Sequence, residues 1–512
     1  MTTGSSRWSH GSQHVRLGME ILKQLYRDRL CLATDLYQLT MSYGYWKAGV
    51  ADKEAVFNLF FRRNPFAGGY SVACGLTYLL DYLKSYQFDA EDIAYLATLT
   101  GNDGKPLFER GFLDYLTNLR FSCDIEAVPE GTVVFPHEPM VRVKGPIIQC
   151  QILETPLLNI MNFQTLIATK SARICQATQG EPVLEFGLRR AQGMDGALAA
   201  SWAAYIGGAS ATSNVLAGKL FGIPVKGTHA HSWIMSFETE EEAFETYAEA
   251  MPNNCVFLVD TYDTIQGVKR AIEAGKTLRA KGFKMVGIRL DSGDLAYLSI
   301  EARKLLNDAG FNDTVIVASN DLDEYIIESL KKQGAQISVW GVGTRLVTAY
   351  DQPALGGVYK LAAIRKPGQE WQYKVKLSEQ TIKVSTPGVQ QIRRFYNEET
   401  FVGDMIYDEQ FGVPEKAVIV DPADMTRRKT IKSGTPYTDL LVPIYRDGQA
   451  VYQSPSVAEI RAYAQKQLSL IHPTIKRFVN PHGYPVGLEP KLHDLKTRLI
   501  LQARGLEEAS KP

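Results

Sequence analysis

Cysteine is scarce and unpatterned in this chain. There are six in 512 residues (Cys31, Cys74, Cys123, Cys150, Cys175 and Cys255), with no Cys-x-x-Cys pair and none in the second half. That spacing argues against a disulfide framework or a structural zinc site and reads as the reduced thiols of a cytoplasmic enzyme. No apolar run approaches the ~20 residues of a spanning helix, so no membrane segment is expected. Net charge is also missing: Lys+Arg and Asp+Glu stand at 56 each. Without a global field to recruit nucleic acid or an anionic membrane, any phosphate-bearing ligand must be held by a local cluster. No internal repeat or low-complexity block is present, and no Gly-x-Gly-x-x-Gly follows a first strand, which argues against a Rossmann dinucleotide site. Met1 to Ser12 are rich in Ser, Gly and Thr without an apolar core. Residues 1–30 therefore read as a partly disordered tail and not as a signal peptide.

Histidine is scarce as well, and two of the eight fall together in Lys226-Gly227-Thr228-His229-Ala230-His231-Ser232. This stretch follows the apolar run Leu220 to Val225, so an extended segment hands off to a small-residue turn bearing two imidazoles. Imidazole can act as nucleophile or general acid/base near neutral pH. A His-x-His pair can equally be half of a metal site, and a buried histidine can be a hydrogen-bonded core residue.

The same layout recurs along the chain. From about Leu153 to Ala363, short apolar runs alternate with amphipathic helical patterns at the spacing of βα units. The strands are expected at Val183–Phe186, Cys255–Val259, Met285–Ile288, Val315–Ala318 and Ile337–Gly341. Polar, charged and glycine residues follow each of them: Gly187 to Gly193, Asp260 to Asp263, Arg289 to Asp294, Ser319 to Asp321, and Val342 to Arg345. Chemistry gathered at successive C-terminal strand ends is the one-dimensional image of a barrel active site. The expectation is an α/β fold with an irregular, TIM-like α/β barrel at residues 153–366. An N-terminal α/β domain at 31–152 and a smaller, β-rich and helical C-terminal domain at 367–512 would flank it.

Each cluster has a chemical and a plainer reading. Gly341-Val342-Gly343-Thr344 could cradle a phosphate on backbone N–H groups or be an ordinary βα turn. Asp291 and Asp294 could hold a ribose diol or Mg²⁺, although Asp294 also suits the N-cap of a helix starting near Leu295. Arg189 and Arg190 could recognise phosphate or carboxylate, or form surface ion pairs. Asp260 could orient His231, or cap a helix beginning at Thr264. Together they suit transfer of a phosphorylated sugar.

Several motifs occur in one order: Glu185-Phe186-Gly187-Leu188-Arg189-Arg190-Ala191-Gln192-Gly193, Ser213 to Gly218, Gly227-Thr228-His229-Ala230-His231-Ser232, Gly287 to Asp294, and Leu355 to Leu361. With Thr34 to Thr40 and Phe60-Phe61-Arg62, they make the chain similar to the nicotinate phosphoribosyltransferases over nearly its whole length. The resemblance implies an ATP-hydrolysing enzyme of the ligase class that joins nicotinate to phosphoribosyl pyrophosphate in NAD biosynthesis. It implies a cytoplasmic homodimer with shared active sites, and no nucleic-acid partner. His231 would be transiently phosphorylated by ATP, with Asp260 beside it holding its tautomer. Phe186 and Tyr37 would sandwich the pyridine ring, Tyr37 from the second subunit. Arg289 and Thr228 would contact nicotinate or the neighbouring phosphates, and Arg189 and Ser213 would line the same site. Asp291 would take the ribose and Mg²⁺, the implied cofactor ion, and Gly343 and Thr344 the 5′-phosphate.

Four other readings compete. The nicotinamide enzyme carries an aspartate where this chain has Ser213, and a carboxylate there would repel nicotinate. A quinolinate enzyme would lack the histidine and need more basic residues. A metal-dependent barrel lyase would use His229, His231 and Asp291 as ligands. A catalytically dead binding protein fits less well, because every polar strand end is intact.

Overall fold

The computed structural model describes residues 29–398 and 400–506; the expected tail at residues 1–30 lies almost wholly outside them. Residues 81–120, with residues 29–33, form a unit of their own. Its helices Ala90–Ala97 and Arg110–Asn118 bury Ile93, Leu96, Phe112, Leu113 and Leu116. Asp89 and Asp92 close the first of them with a reciprocal capping box.

Residues 34–80 and 121 onward form the second unit, built on three main sheets. The first is a seven-stranded antiparallel sheet in the order Gln372–Tyr373, Val358–Arg365, Glu54–Phe60, Val141–Pro146, Asp124–Ala127, Val442–Arg446, Gln449–Ala450. Glu54–Phe60 pairs with Val358–Arg365 across some three hundred residues of sequence. The N-terminal layer thus takes one strand from within the expected barrel segment 153–366 and three from beyond it. Non-local pairing of this kind leaves no local sequence signature. A six-stranded sheet drawn from Gln390 to Leu488 makes up the C-terminal region, with the helices Val457–Ser469 and Pro490–Ala503 near the expected positions.

The third sheet positions the site. Its six strands are parallel, in the order Ala211–Thr212, Val183–Glu185, Val339–Val342, Val315–Ala318, Gly287–Leu290, Val256–Leu258. Buried Val183, Phe257, Leu258, Ile288, Ile316 and Trp340 explain why these short runs were legible as strands. The expected irregular, TIM-like barrel does not close into one ladder among the described residues: the sheet has two edges, Ala211–Thr212 and Val256–Leu258. The segment between them stays irregular. Val225 makes one isolated parallel bridge to Thr212, and beyond it the chain reaches Val256–Leu258 only through side chains, the Thr228 hydroxyl donating to the Val256 carbonyl and the His229 ring accepting from the Leu258 N–H. Gly227, Thr228 and the histidines thus occupy the position where a further strand would be needed for closure. Among the described residues, no helix is long and apolar enough to cross a membrane.

Candidate active site

The C-terminal ends of the parallel strands line one cleft of 540 Å³. It brings together Phe186, Arg189, Ser213, Thr228, Arg289, Asp291, Gly343 and Thr344 from five different loops. Arg190 and His229 line it as well. Tyr37 is not part of this lining; it is half exposed on the helix Leu36–Lys47.

Phe186 is held from both sides of its strand end. Its N–H donates to the Val342 carbonyl at 2.8 Å. Its ring lies against Gly341, where a Cβ would come within 2.8 Å of the ring edge, so only glycine allows that approach. Below it, Glu185 is buried and accepts from Ser201 Oγ at 2.8 Å, Thr212 Oγ1 at 2.6 Å and the Gly187 N–H. That carboxylate ties the strand end to the next helix and strand and shapes the turn that presents Phe186. It was quoted in the motif without a role, yet a lone acid inside Val183-Leu184-Glu185-Phe186 was the available signal.

Arg289 is the most enclosed of the three arginines that line the cleft. Burial lowers its pKa, partly offset by the carboxylates of Asp291 and Asp260. Its Nε is buried with no hydrogen-bond partner. An orphaned guanidinium N–H in a cleft that also holds a phenyl ring suits a flat ring carrying an anionic group.

The two histidines separate cleanly. His231 opens the short helix His231–Met235 and is partly exposed. Its Nδ1 lies 3.1 Å from Thr261 Oγ1 and its Nε2 3.6 Å from Asp291 Oδ2. His229 is buried, edge-on to Tyr247 with ring centroids 4.8 Å apart. Its Nε2 accepts the Leu258 N–H at 3.3 Å and its Nδ1 lies 3.4 Å from the Ala230 carbonyl, which fixes a neutral ring protonated on Nδ1. His229 is a core histidine. A tripodal metal site of His229, His231 and Asp291 is excluded by these bonds, and no group of three or more metal-ligating side chains occurs among the described residues.

Two other expectations need correction. Asp260 does not hold the tautomer of His231: its Oδ2 accepts from the Asp291 N–H at 3.0 Å and from Ser292 Oγ at 2.6 Å, and the partner of His231 Nδ1 is Thr261. Nor does Asp260 cap the next helix, because Asp263 does so. Asp260 instead braces the Asp291–Asp294 turn, in which Gly293 takes φ 80° and Asp294 is the N-cap of Leu295–Asp308. Thr228, expected to contact substrate, spends its hydroxyl proton on Val256. Sequence reading missed Thr261, Ser319, whose hydroxyl donates to Asp291 Oδ1, and Asn320, which lines the cleft at φ 101°. A polar triplet directly after Val315–Ala318 was the signal for the last two.

Burial pushes the His229 pKa down from an ordinary 6.5 to about 4. Between those values the unfolded chain takes up a proton that the folded chain refuses, so stability is full above pH 6.5 and falls towards pH 4. The loss should approach about 3 kcal/mol. Urea midpoints measured across that range should flatten partly in His229→Leu. His137, lowered in the same direction, supplies the slope that remains. An unchanged slope would mean that His229 titrates normally.

Family models match in three adjoining stretches: the nicotinate phosphoribosyltransferase N-terminal domain at residues 32–162, the family's central model at 183–398, and its C-terminal domain at 389–496. A nicotinate phosphoribosyltransferase of Bacillus subtilis is 45% identical, covering 92% of this chain and 97% of its own. The crystal structure of human nicotinic acid phosphoribosyltransferase superposes with a TM-score of 0.79 at 33% identity, over 91% of this chain and 99% of that one. A nicotinate-nucleotide pyrophosphorylase from Pyrococcus furiosus shares the fold, with a TM-score of 0.65 at 21% identity over 85% of this chain and 94% of that one.

Proposed function

The chain belongs to the nicotinate phosphoribosyltransferase family, and on that premise we propose that the strand-end cleft joins nicotinate to phosphoribosyl pyrophosphate. The observation that carries this reading is one cleft lined by both the Phe186 ring and Arg289, whose Nε is buried and partnerless, a combination that suits a flat aromatic acid. The pyridine nitrogen attacks C1′ of the ribose. The C1′–N bond forms as the C1′–oxygen bond breaks, and pyrophosphate leaves with the bonding pair. Phe186 supports one face of the ring, and Tyr37 of the partner subunit covers the other. Arg289 and Arg189 take the carboxylate and nearby phosphate oxygens, Asp291 the ribose hydroxyls, and Gly343 and Thr344 the 5′-phosphate.

Mg²⁺ would enter with the substrate phosphates, since one carboxylate plus phosphate oxygens is a common way to hold it. Asp291 fits that part: Oδ1 is fixed by Ser319, and Oδ2 faces His231 and the cleft. When bound, the ion would neutralise charge on the leaving pyrophosphate.

ATP coupling runs through His231. With Nδ1–H donating to Thr261, Nε2 keeps its lone pair and can take the γ-phosphoryl group, releasing ADP; hydrolysis then returns the imidazole and phosphate. The six cysteines are free thiols, in keeping with a cytoplasmic enzyme.

The direct test is pyrophosphate release from phosphoribosyl pyrophosphate with nicotinate and not with nicotinamide. Equal use of both would favour the nicotinamide reading. Ser213 lines the cleft, and Ser213→Asp should lower kcat/KM for nicotinate at least about tenfold by like-charge repulsion. Unchanged turnover would remove Ser213 from the substrate carboxylate. Subunit sharing has its own check. Tyr37→Ala and His231→Ala proteins, each deficient in ATP-coupled synthesis, should recover up to about a quarter of wild-type activity after subunit exchange, because each mixed dimer then holds one intact site. No recovery after demonstrated exchange would put both residues in one subunit's site.

A further inference from the structure

A second cavity, of 590 Å³, shares no lining residue with the strand-end cleft. Its volume falls in the usual range for a small-molecule site. Phe135, Ile406, Val486 and Leu488 give it apolar walls, and Lys496, from the helix Pro490–Ala503, joins them. The Lys496 ammonium donates to Thr386 Oγ1 at 3.1 Å, and burial alone pulls its pKa down to about 8. The carboxylate lining this cavity, Asp421, is engaged elsewhere, accepting from the N–H groups of Ala423 at 2.8 Å and Asp424 at 3.1 Å. His137 lines the cavity at φ 71°, its ring 6.1 Å from that of Phe60. Burial, with the positive charges of Lys496 and Arg62, lowers its pKa to about 4.

An ammonium held among apolar side chains costs stability unless a counter-charge meets it. Here the chain offers it one hydroxyl, within a hollow roomy enough for a ring system. Filling the hollow with apolar side chains would have stabilised the fold more simply. We propose that this cavity is a second binding site, for a small molecule with an apolar, ring-sized body and one anionic group that pairs with Lys496. The neutral His137 imidazole adds a donor to the same anion, and Phe135 and Leu488 take the apolar body. This inference does not depend on the transfer reaction.

The probes are 1-naphthoate and its neutral isostere 1-naphthamide, titrated calorimetrically into the full chain. The unmodified protein should bind naphthoate at least tenfold more tightly. Lys496→Met should remove that preference while leaving naphthamide affinity unchanged. Ala423→Trp, at an exposed position of the cavity wall, should weaken both, and it serves alone if Lys496→Met does not fold. Both variants should keep wild-type transferase turnover, since neither residue lines the cleft. Naphthoate binding that persists unchanged in these variants belongs to the strand-end cleft and overturns the proposal. So does a protein that binds the amide as tightly as the acid. Neither result would alter the reading of the strand-end cleft.

Discussion

His231→Ala is expected to abolish both ATP hydrolysis and the incorporation of acid-labile phosphate from labelled ATP, while a slow, ATP-independent transfer of phosphoribose survives. The two halves separate because pyrophosphate is already a leaving group, so the glycosidic bond needs no phosphohistidine. A phosphoryl group on Nε2 would add a charge near −2 and strong acceptor oxygens. That group would draw in the loops that order pyrophosphate. Asp291, 3.6 Å from Nε2, would be repelled by it unless Mg²⁺ lies between them, so the coupled reaction should depend steeply on Mg²⁺. His229→Ala should keep the label, because that ring is buried and both of its nitrogens are engaged. Label that survives in His231→Ala and vanishes in His229→Ala would assign the chemistry to the wrong imidazole. Wild-type protein that takes up no label would leave a transferase without ATP coupling.

Arg289→Met should produce the second large effect. Removing one member of a desolvated charge pair costs about 2–5 kcal/mol, roughly a thirty- to several-thousand-fold loss in kcat/KM for nicotinate. Nicotinamide, lacking the carboxylate, should lose far less, so discrimination between the two should collapse. Stability should move the other way. In the free protein Arg289 is buried with an unpartnered Nε and a lowered pKa. A methionine of similar length removes that cost and should leave the melting temperature unchanged or higher. Intact nicotinate turnover would refute the assignment of Arg289 to the substrate carboxylate. A drop in both stability and activity would make the residue structural.

The parts of the site set by local sequence could be read in advance. Val315–Ala318 coincides with its expected strand, and the strands expected at Met285–Ile288 and Ile337–Gly341 lie two residues later, at Gly287–Leu290 and Val339–Val342. Short apolar runs bounded by Gly, Asp and Ser announce buried parallel strands whatever their partners, and the reactive side chains sit at their ends for the same local reason. Asp294 as a helix cap likewise depends only on the next three residues. What the sequence could not decide was direction. His229 and His231 are chemically alike and two residues apart, yet the Leu258 N–H, left unpaired at a sheet edge, captures one ring. The other opens a helix and, outside the cleft lining itself, meets Thr261 and the cleft carboxylate Asp291. Thr261 takes the part expected of Asp260 because the N–H of Asp291, from the neighbouring strand end, claims the Asp260 carboxylate. The open sheet, the pairing of Val358–Arg365 with Glu54–Phe60 and the position of Tyr37 outside the cleft arise in the same way. Residue type and near neighbours specify which chemistry a segment carries. Which hydrogen-bonding groups remain free to use it is settled only when strands hundreds of residues apart have paired.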